Sequence, residues 1–376
     1  MGKNYITHTN IITSLGFDTY SNFEALLTGQ SGLKKNFNFL DQDFYTSQID
    51  KEQLADEFTK YAVEEYTPLE KMMIVSISKL LEQSNVEITS RTGIVVATTK
   101  GNIDVLSKKS LFFNTPKRAY LSELGRQIQE FFKFQNTPIV LSNACVSGVM
   151  AIAVADSLIK SGVYKDVVVV GGDLVSEFVV SGFQSFQAID NKPCQPYSKN
   201  RMGVSLGEAV ASVIVTSNKQ DDCIEILGSG SCNDANHISG PSRTGEGLYQ
   251  SINTALEEAD VEASTIDYIS AHGTATMYND EMESVTFKRL NMSDIPLNSL
   301  KGYYGHTLGA AGLLESVISI ESMKRGVLIP SYGFDELGVT NPLNIITEVE
   351  QKEINKVLKT ASGFGGVNSA IIFSKI

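Results

Sequence analysis

This 376-residue chain lacks most signals of a metal scaffold, a nucleic-acid surface or a membrane anchor. It has four cysteines, Cys145, Cys194, Cys223 and Cys232, and none are spaced Cys-x-x-Cys, which excludes a zinc ribbon. Cys223 and Cys232 precede His237, but at a spacing that fits no zinc pattern, so no metal is expected. No block of Lys or Arg interleaves with aromatics, so nucleic acid is not an expected partner. The balance of 31 basic and 43 acidic residues gives a net charge of −12, which favours solubility. No apolar run approaches the roughly 20 residues that span a bilayer. The opening MGKNYITHTN lacks a signal-peptide core, and Ile6 breaks the myristoylation pattern. A cytoplasmic protein with free thiols is expected. No stretch rich in Pro, Ser or charge reads as a linker, so a chain of this length is expected to form two intimately packed halves.

What is present is an alternation of strand-like and helix-like runs. Residues 69–84 and 121–134 have helical apolar spacing, while TGIVVATT (92–99), PIVLSNA (138–144) and DVVVVGGDLV (166–175) read as buried strands. A small-residue helix after Cys145 completes a strand–helix–strand unit of a parallel or mixed sheet. EAVASVIVTSN (208–218) closes a first half, residues 1–223. The second half, 224–376, runs strand (224–231), helix (247–261), strand (266–273), helix (279–290), a long helix (306–326), and two strands around a Gly-rich turn (355–374). The similar order hints at a duplicated α/β fold, although identity between the halves is too weak to establish a repeat. Little strand is expected ahead of THTNIITSLG (7–16).

Cys145 stands where a buried strand meets a helix that is apolar all round: Val146, Val149, Met150, Ile152 and Val154, with Gly148, Ala151, Ala153 and Ala155 between. Most buried cysteines are small hydrophobes. This one sits at a strand carboxyl end, where α/β sites lie. A helix N-terminus there would bias the thiol towards thiolate, and the cysteine's own N–H would serve as an oxyanion donor. The histidines are His8, His237, His272 and His306. His272 in SAHGTAT (270–276) and His306 in KGYYGHTLGAAG (301–312) both occupy Gly-flanked loops. A thiol with two imidazoles suits acyl-thioester chemistry: sulfur takes the acyl group, and the ring N–H groups hold a developing oxyanion.

Six segments in order resemble the β-ketoacyl synthases of the condensing-enzyme family: LGFDTYSNFEALLTGQSGL (15–33), NACVSG, CQPYSKNRMGVSLGEA (194–209), HGTATMYND (272–280), SLKGYYGHTLGAAGLLE (299–315) and SGFGGVNSA (362–370). The resemblance covers nearly the whole chain. It implies an α/β duplicated thiolase-like fold, with two mixed five-stranded sheets in a layered α-β-α-β-α arrangement. It implies a decarboxylative condensation in which Cys145 holds the acyl chain and His272 and His306 bind the malonyl thioester carbonyl. The N–H groups of Cys145 and Phe364 would form the oxyanion hole, with Phe364 and Gly365 on a gating turn. Thr274 and Thr276 would hydrogen-bond the phosphopantetheine arm. Lys301, Asp280 and Glu315 would form a support network, a carboxylate partnering Lys301, that orients His306. No cofactor is implied, because the substrates ride on the phosphopantetheine of an acyl carrier protein. A homodimer is implied, with a heterodimer with a chain-length-factor-like partner as the runner-up.

The chain departs from the family pattern at Val146, Gln195, Met202 and Ala275. Gln195 and the net acidity weaken the case for docking an acidic carrier, although Lys108, Lys109, Lys117, Arg118, Lys199 and Arg201 offer a candidate basic patch. The departures suggest a specialised synthase, of which a bacterial polyene or aryl-polyene pathway is one setting. Other readings fare worse. A degradative thiolase would carry a second catalytic cysteine near the C-terminus, and none follows Cys232. An initiating Cys-His-Asn synthase lacks the histidine found at 306. A silent chain-length-factor-like subunit generally loses the nucleophile, and a cysteine hydrolase leaves the second histidine and GFGGVN unexplained.

Overall fold

The computed structural model describes residues 2–39, 42–63, 65–234 and 240–376, so His237 lies outside the described residues. The first half contributes strands β1 (Asn4–Ile12), β2 (Thr92–Ala97), β3 (Ile139–Leu141), β4 (Asp166–Asp173) and β5 (Ala209–Thr216). The second half contributes β6 (Ile224–Asn233), β7 (Tyr268–Ser270), β8 (Leu297–Asn298), β9 (Lys356–Gly363) and β10 (Val367–Lys375). The spatial orders are β3-β2-β4-β5-β1 and β8-β7-β9-β10-β6. In each set the first two pairings are parallel and the last two antiparallel. The two mixed five-stranded sheets are therefore topological copies of one another. They share an edge, because Asn4–Ile6 of β1 pairs antiparallel with Ile224–Ile226 of β6, which makes one hydrogen-bonded set of ten strands.

As expected, little strand precedes Thr7: only Asn4–Ile6 of β1 lie ahead of it. Thr7, His8, Thr9 and Asn10 are polar and hide the pattern, yet β1 pairs along its length with β5. The helices that pack on the sheets or carry site residues include α1 (Pro68–Glu82), α2 (Leu121–Phe132), α3 (Ser147–Lys160), α4 (Glu177–Ser185), α5 (Glu246–Ala259), α6 (Met277–Arg289) and α7 (Ala311–Arg325). α1 starts sharply because Thr67 and Glu70 form a capping box around Pro68. It covers the outer face of the first sheet, and α5 covers the outer face of the second. α3 and α7 lie between the sheets, touching both, which gives five alternating layers. Helices in such a middle layer must be apolar all round, and 12 of the 15 residues of α7 are buried. Among the described residues, no helix is long and apolar enough to cross a membrane.

The small residues of α3 and α7 permit a close crossing. A Cβ on Gly148 would stand 2.5 Å from the Leu313 backbone nitrogen, and one on Gly312 would stand 2.8 Å from that of Val149. Backbone atoms cannot rotate away, so Gly148→Ala is expected to destabilise the protein by about 1–3 kcal/mol. A denaturation midpoint equal to wild type would contradict this tight crossing. The expected helix over 306–326 is shorter than its sequence pattern, since α7 begins at Ala311. Gly305 (φ +66°) and Leu308 (φ +55°) take left-handed backbone, which interrupts the helix and leaves His306 on an irregular loop.

Candidate active site

The link from β3 to α3 is a strained turn. Ala144 has φ +45°, a conformation that costs a residue with a Cβ about 1–2 kcal/mol. Ser147 holds the turn: its hydroxyl accepts from the Asn143 N–H at 2.8 Å and donates to the Ala144 carbonyl at 2.7 Å. Cys145 is thereby presented beside the hairpin joining β9 to β10. A Cβ on Gly363 would lie 3.0 Å from the Cys145 nitrogen, and the Phe364 N–H donates toward the thiol. The two backbone donors expected for an oxyanion are thus neighbours. Gly365 (φ +90°) and Gly366 (φ +79°) form the hairpin turn. The Phe364 ring packs on Phe183 and Phe186, with centroids 5.2 Å away in both cases, and Phe183 in turn contacts the His306 ring. α4 and the residue after it therefore cap the site with aromatics.

The resting nucleophile is a thiol, contrary to the thiolate expected at a helix N-terminus. Burial pushes the Cys145 pKa up to about 12, outweighing the favourable charges of Lys301 and Lys100 and the Phe364 N–H, while Asp173 pushes the same way as burial. Alkylation of Cys145 by iodoacetamide is expected to keep rising with pH through 9, with no plateau near the ordinary thiol value of about 8.5. A plateau below pH 8 would restore the thiolate assignment.

His306 Nε2 lies 2.9 Å from Cys145 Sγ. Burial, then Lys301 and Lys359, hold the His306 pKa well below the ordinary imidazole range. A neutral imidazole thus faces a neutral thiol, and Nε2 accepts the S–H. Long-range backbone contacts fix the ring's position. The His306 N–H donates to the Ser205 carbonyl at 2.6 Å, and the Gly207 N–H returns to the His306 carbonyl at 3.0 Å. Three residues on, the Gly309 N–H donates to Asp173 at 2.7 Å. Asp173 also accepts from the Thr98 hydroxyl and from the N–H groups of Thr99 and Lys100. Asp173 and Ser205 were not legible as site residues, because they act only through contacts between distant segments.

His272 is held differently. Glu283 accepts the N–H groups of His272 and Gly273, each at 2.8 Å, and the Tyr197 hydroxyl at 2.9 Å. Lys301 Nζ lies 3.3 Å from His272 Nδ1 and also donates to the His272 carbonyl. An ammonium has no lone pair, so Nδ1 must be the acceptor and the ring proton must sit on Nε2. Burial, then Lys301, His306 and Lys359, hold His272 neutral. The two imidazoles are 5.3 Å apart and nearly perpendicular, at 83°. One ligand-type atom from each of Cys145, His272 and His306 falls within 4.8 Å of the others. Lys301 and Lys359 oppose a cation there, so the cluster reads as acid–base groups.

The support network differs from the expected one in the ring it serves. Lys301 braces His272, not His306. Of the two carboxylates open as its partner, Glu315 is the one that meets it, at 2.7 Å. Asp280 instead accepts the N–H groups of Thr274 (2.9 Å) and Tyr197 (2.8 Å) and faces Arg201 Nε at 3.5 Å. Burial raises its pKa to about 6. The Thr274 and Thr276 hydroxyls are 2.9 Å apart across Ala275, whose φ is +61°, and Thr276 caps α6. The candidate basic patch also changes. Arg201 is buried beneath these loops, donating to the Ser198 and Gly338 carbonyls. Arg118, Lys109 and Lys199 pair with Glu70, Glu177 and Glu336.

Family models described as "Beta-ketoacyl synthase, N-terminal domain" and "Beta-ketoacyl synthase, C-terminal domain" match residues 12–221 and 223–335. A putative mitochondrial 3-oxoacyl-[acyl-carrier-protein] synthase of Schizosaccharomyces pombe is 27% identical, over 100% of this chain and 99% of its own length. A 3-oxoacyl-[acyl-carrier-protein] synthase 2 of Rhizobium meliloti is 28% identical, over 100% and 99%. Among solved structures, a ketosynthase in complex with its chain length factor from Xenorhabdus doucetiae shares the fold with a TM-score of 0.88 at 24% identity, covering 100% of this chain and 98% of that one. A beta-ketoacyl synthase from Burkholderia phymatum gives 0.86 at 22%, with both chains fully covered.

Proposed function

The chain belongs to the β-ketoacyl synthase family, and from that premise we propose that it joins an acyl thioester to a malonyl thioester by decarboxylative condensation. The observation that carries this reading is the Cys145–His306 contact of 2.9 Å beside a second imidazole whose proton is fixed on Nε2. In the first half-reaction, Cys145 sulfur attacks the acyl thioester carbonyl while His306 Nε2 takes the thiol proton. The oxyanion falls between the N–H groups of Cys145 and Phe364. Collapse expels the donor's thiol, which leaves with that proton. Once the sulfur is acylated, no S–H faces His306, and because its Nδ1 has no hydrogen-bond partner among the described residues the neutral ring can exchange its proton from Nδ1 to Nε2 by way of solvent.

In the second half-reaction, the Nε2–H groups of His272 and His306 donate to the malonyl thioester carbonyl. The bond from the malonyl α-carbon to its carboxylate breaks, CO2 leaves, and the electron pair forms an enolate held by those donors. The enolate carbon attacks the acyl-Cys145 carbonyl. The resulting oxyanion collapses, a 3-ketoacyl thioester departs, and the sulfur is reprotonated by one proton taken up from solvent, which the overall condensation consumes. Neutral imidazoles suit this role because they donate without themselves holding the charge.

Both substrates would be carried on the phosphopantetheine arm of an acyl carrier protein, with no resident cofactor, and Thr274 and Thr276 would receive the arm. A dimer is proposed through β3, a half-buried strand at the outer edge of its sheet, with a second copy or a chain-length-factor-like subunit as partner. The departures at Val146, Gln195, Met202 and Ala275 favour a specialised pathway, such as polyene or aryl-polyene synthesis, in the cytoplasm. The test is intact-protein mass after incubation with carrier-protein thioesters of several acyl types, beside Cys145→Ala. An adduct that vanishes in the variant establishes acyl transfer and ranks the donors. No adduct from any donor on folded protein overturns the reading in favour of a silent, partner-dependent subunit.

A further inference from the structure

Glu315 is gripped by two buried lysines. Lys301 Nζ meets Oε1 and Lys359 Nζ meets Oε2, each at 2.7 Å, and both lysines are completely buried. Lys359 lies on β9 and also donates to the carbonyls of Thr360 (2.7 Å), Ser270 (3.1 Å) and Ala271 (3.3 Å). Four acceptors and no donor surround its nitrogen, so it is an ammonium despite burial, which lowers its pKa. Ser270 ends β7, and His272 follows two residues later. Lys359 thus ties together the strand end that carries His272 and the carboxylate that holds Lys301 against the His272 ring. Nothing in the proposed chemistry requires a second ammonium here, and a buried charge without a purpose is costly.

We propose that Lys359 is a positioning residue for the decarboxylating half of the condensation, acting through Glu315 and the Ser270–Ala271 carbonyls on His272. This inference rests on the condensing-enzyme reading. Lys359 has two effects. It locks the backbone that aims His272 Nε2, and it leaves the trio of two ammoniums and one carboxylate with a net positive charge behind the imidazoles. Such a charge favours an enolate oxygen in front of them. Acylation of Cys145 depends instead on His306 and the two backbone N–H groups; Lys359 hydrogen-bonds none of them and reaches His306 through its charge alone, as the weakest of the influences on that ring.

The test compares wild type with Lys359→Met and Lys359→Gln in two assays across pH: mass gain at Cys145 from an acyl-carrier-protein thioester, and CO2 release from a malonyl thioester. Glutamine keeps an amide donor for the carbonyls without the charge, so it provides a folded comparison if methionine is not tolerated. Acylation is expected to stay within about threefold of wild type, while decarboxylation falls by about tenfold or more. The groups around His272 are Cys145, Glu283, Lys301, His306, Glu315 and Lys359. Lys359 is the one altered, and its positive charge disfavours protonation of His272. Its loss should therefore move the acid limb of decarboxylation to higher pH. Equal losses in both assays with an unmoved acid limb would reduce Lys359 to a structural residue and overturn the inference alone. A wild-type protein that neither accepts an acyl group nor releases CO2 would overturn the condensing reading and this inference with it.

Discussion

Replacing His306 with alanine is expected to slow acylation of Cys145 by about 10²–10⁴-fold, whereas His272→Ala should leave acylation within about tenfold and abolish malonyl decarboxylation. The asymmetry follows from geometry. Of the two imidazoles, His306 is the one at hydrogen-bond distance from the sulfur, and the thiol needs a base because burial holds its pKa at about 12. Without that imidazole, the thiolate fraction near neutral pH is very small. His272 has its Nδ1 occupied by Lys301, so its free nitrogen is a donor. A donor cannot deprotonate a thiol, but it can hold an enolate oxygen. Stopped mass spectrometry of the acyl adduct and CO2 release from a malonyl thioester separate the two roles. Equal acylation defects in both variants would contradict this division of labour.

Glu315→Leu is expected to destabilise the fold by about 3–5 kcal/mol. The carboxylate is the one anion within ion-pair distance of Lys301 and of Lys359 among the described residues. Removing it leaves two buried ammoniums facing each other without compensation. The cost should shrink in Glu315→Leu combined with Lys359→Met, because one of the stranded charges is then gone. Urea denaturation of the single and double variants measures the difference. If the double variant is no more stable than Glu315→Leu, the ion pair with Lys359 contributes nothing. Loss of condensation activity should accompany the single change, since Lys301 would no longer be held against the His272 ring.

The site was legible where its chemistry is local. NACVSG, HGTAT and KGYYGHTLGAAG each place a reactive side chain beside small residues at a turn, and the structure brings all three together within 4.8 Å. The alternation of apolar runs likewise exposed strands and helices whose order repeats between halves. Lys359 was not legible, because a lysine in KVLKTASG looks like an outward residue of a half-buried strand, and only the packing of α7 over β9 seals it beside Glu315. The choice between Asp280 and Glu315 as partner of Lys301 stayed open for a related reason. From the sequence, any nearby carboxylate can serve a lysine, but α6 directs Asp280 to Arg201 and the 274–276 loop. β1 was obscured by Thr7, His8, Thr9 and Asn10, polar residues whose strand conformation comes from pairing with β5.

The sequence by itself determined the order of elements, the candidate nucleophile and both candidate histidines, and the turns that carry them, because helix and strand periodicity and turn chemistry act over a few neighbouring residues. Tertiary structure alone decided which imidazole touches the sulfur, which carboxylate meets which lysine, and whether the cysteine rests as thiol or thiolate. Those outcomes depend on burial and on distances between segments far apart in the chain. At Cys145 the charges of Lys301 and Lys100 and the Phe364 N–H favour the anion, but removal from water outweighs them.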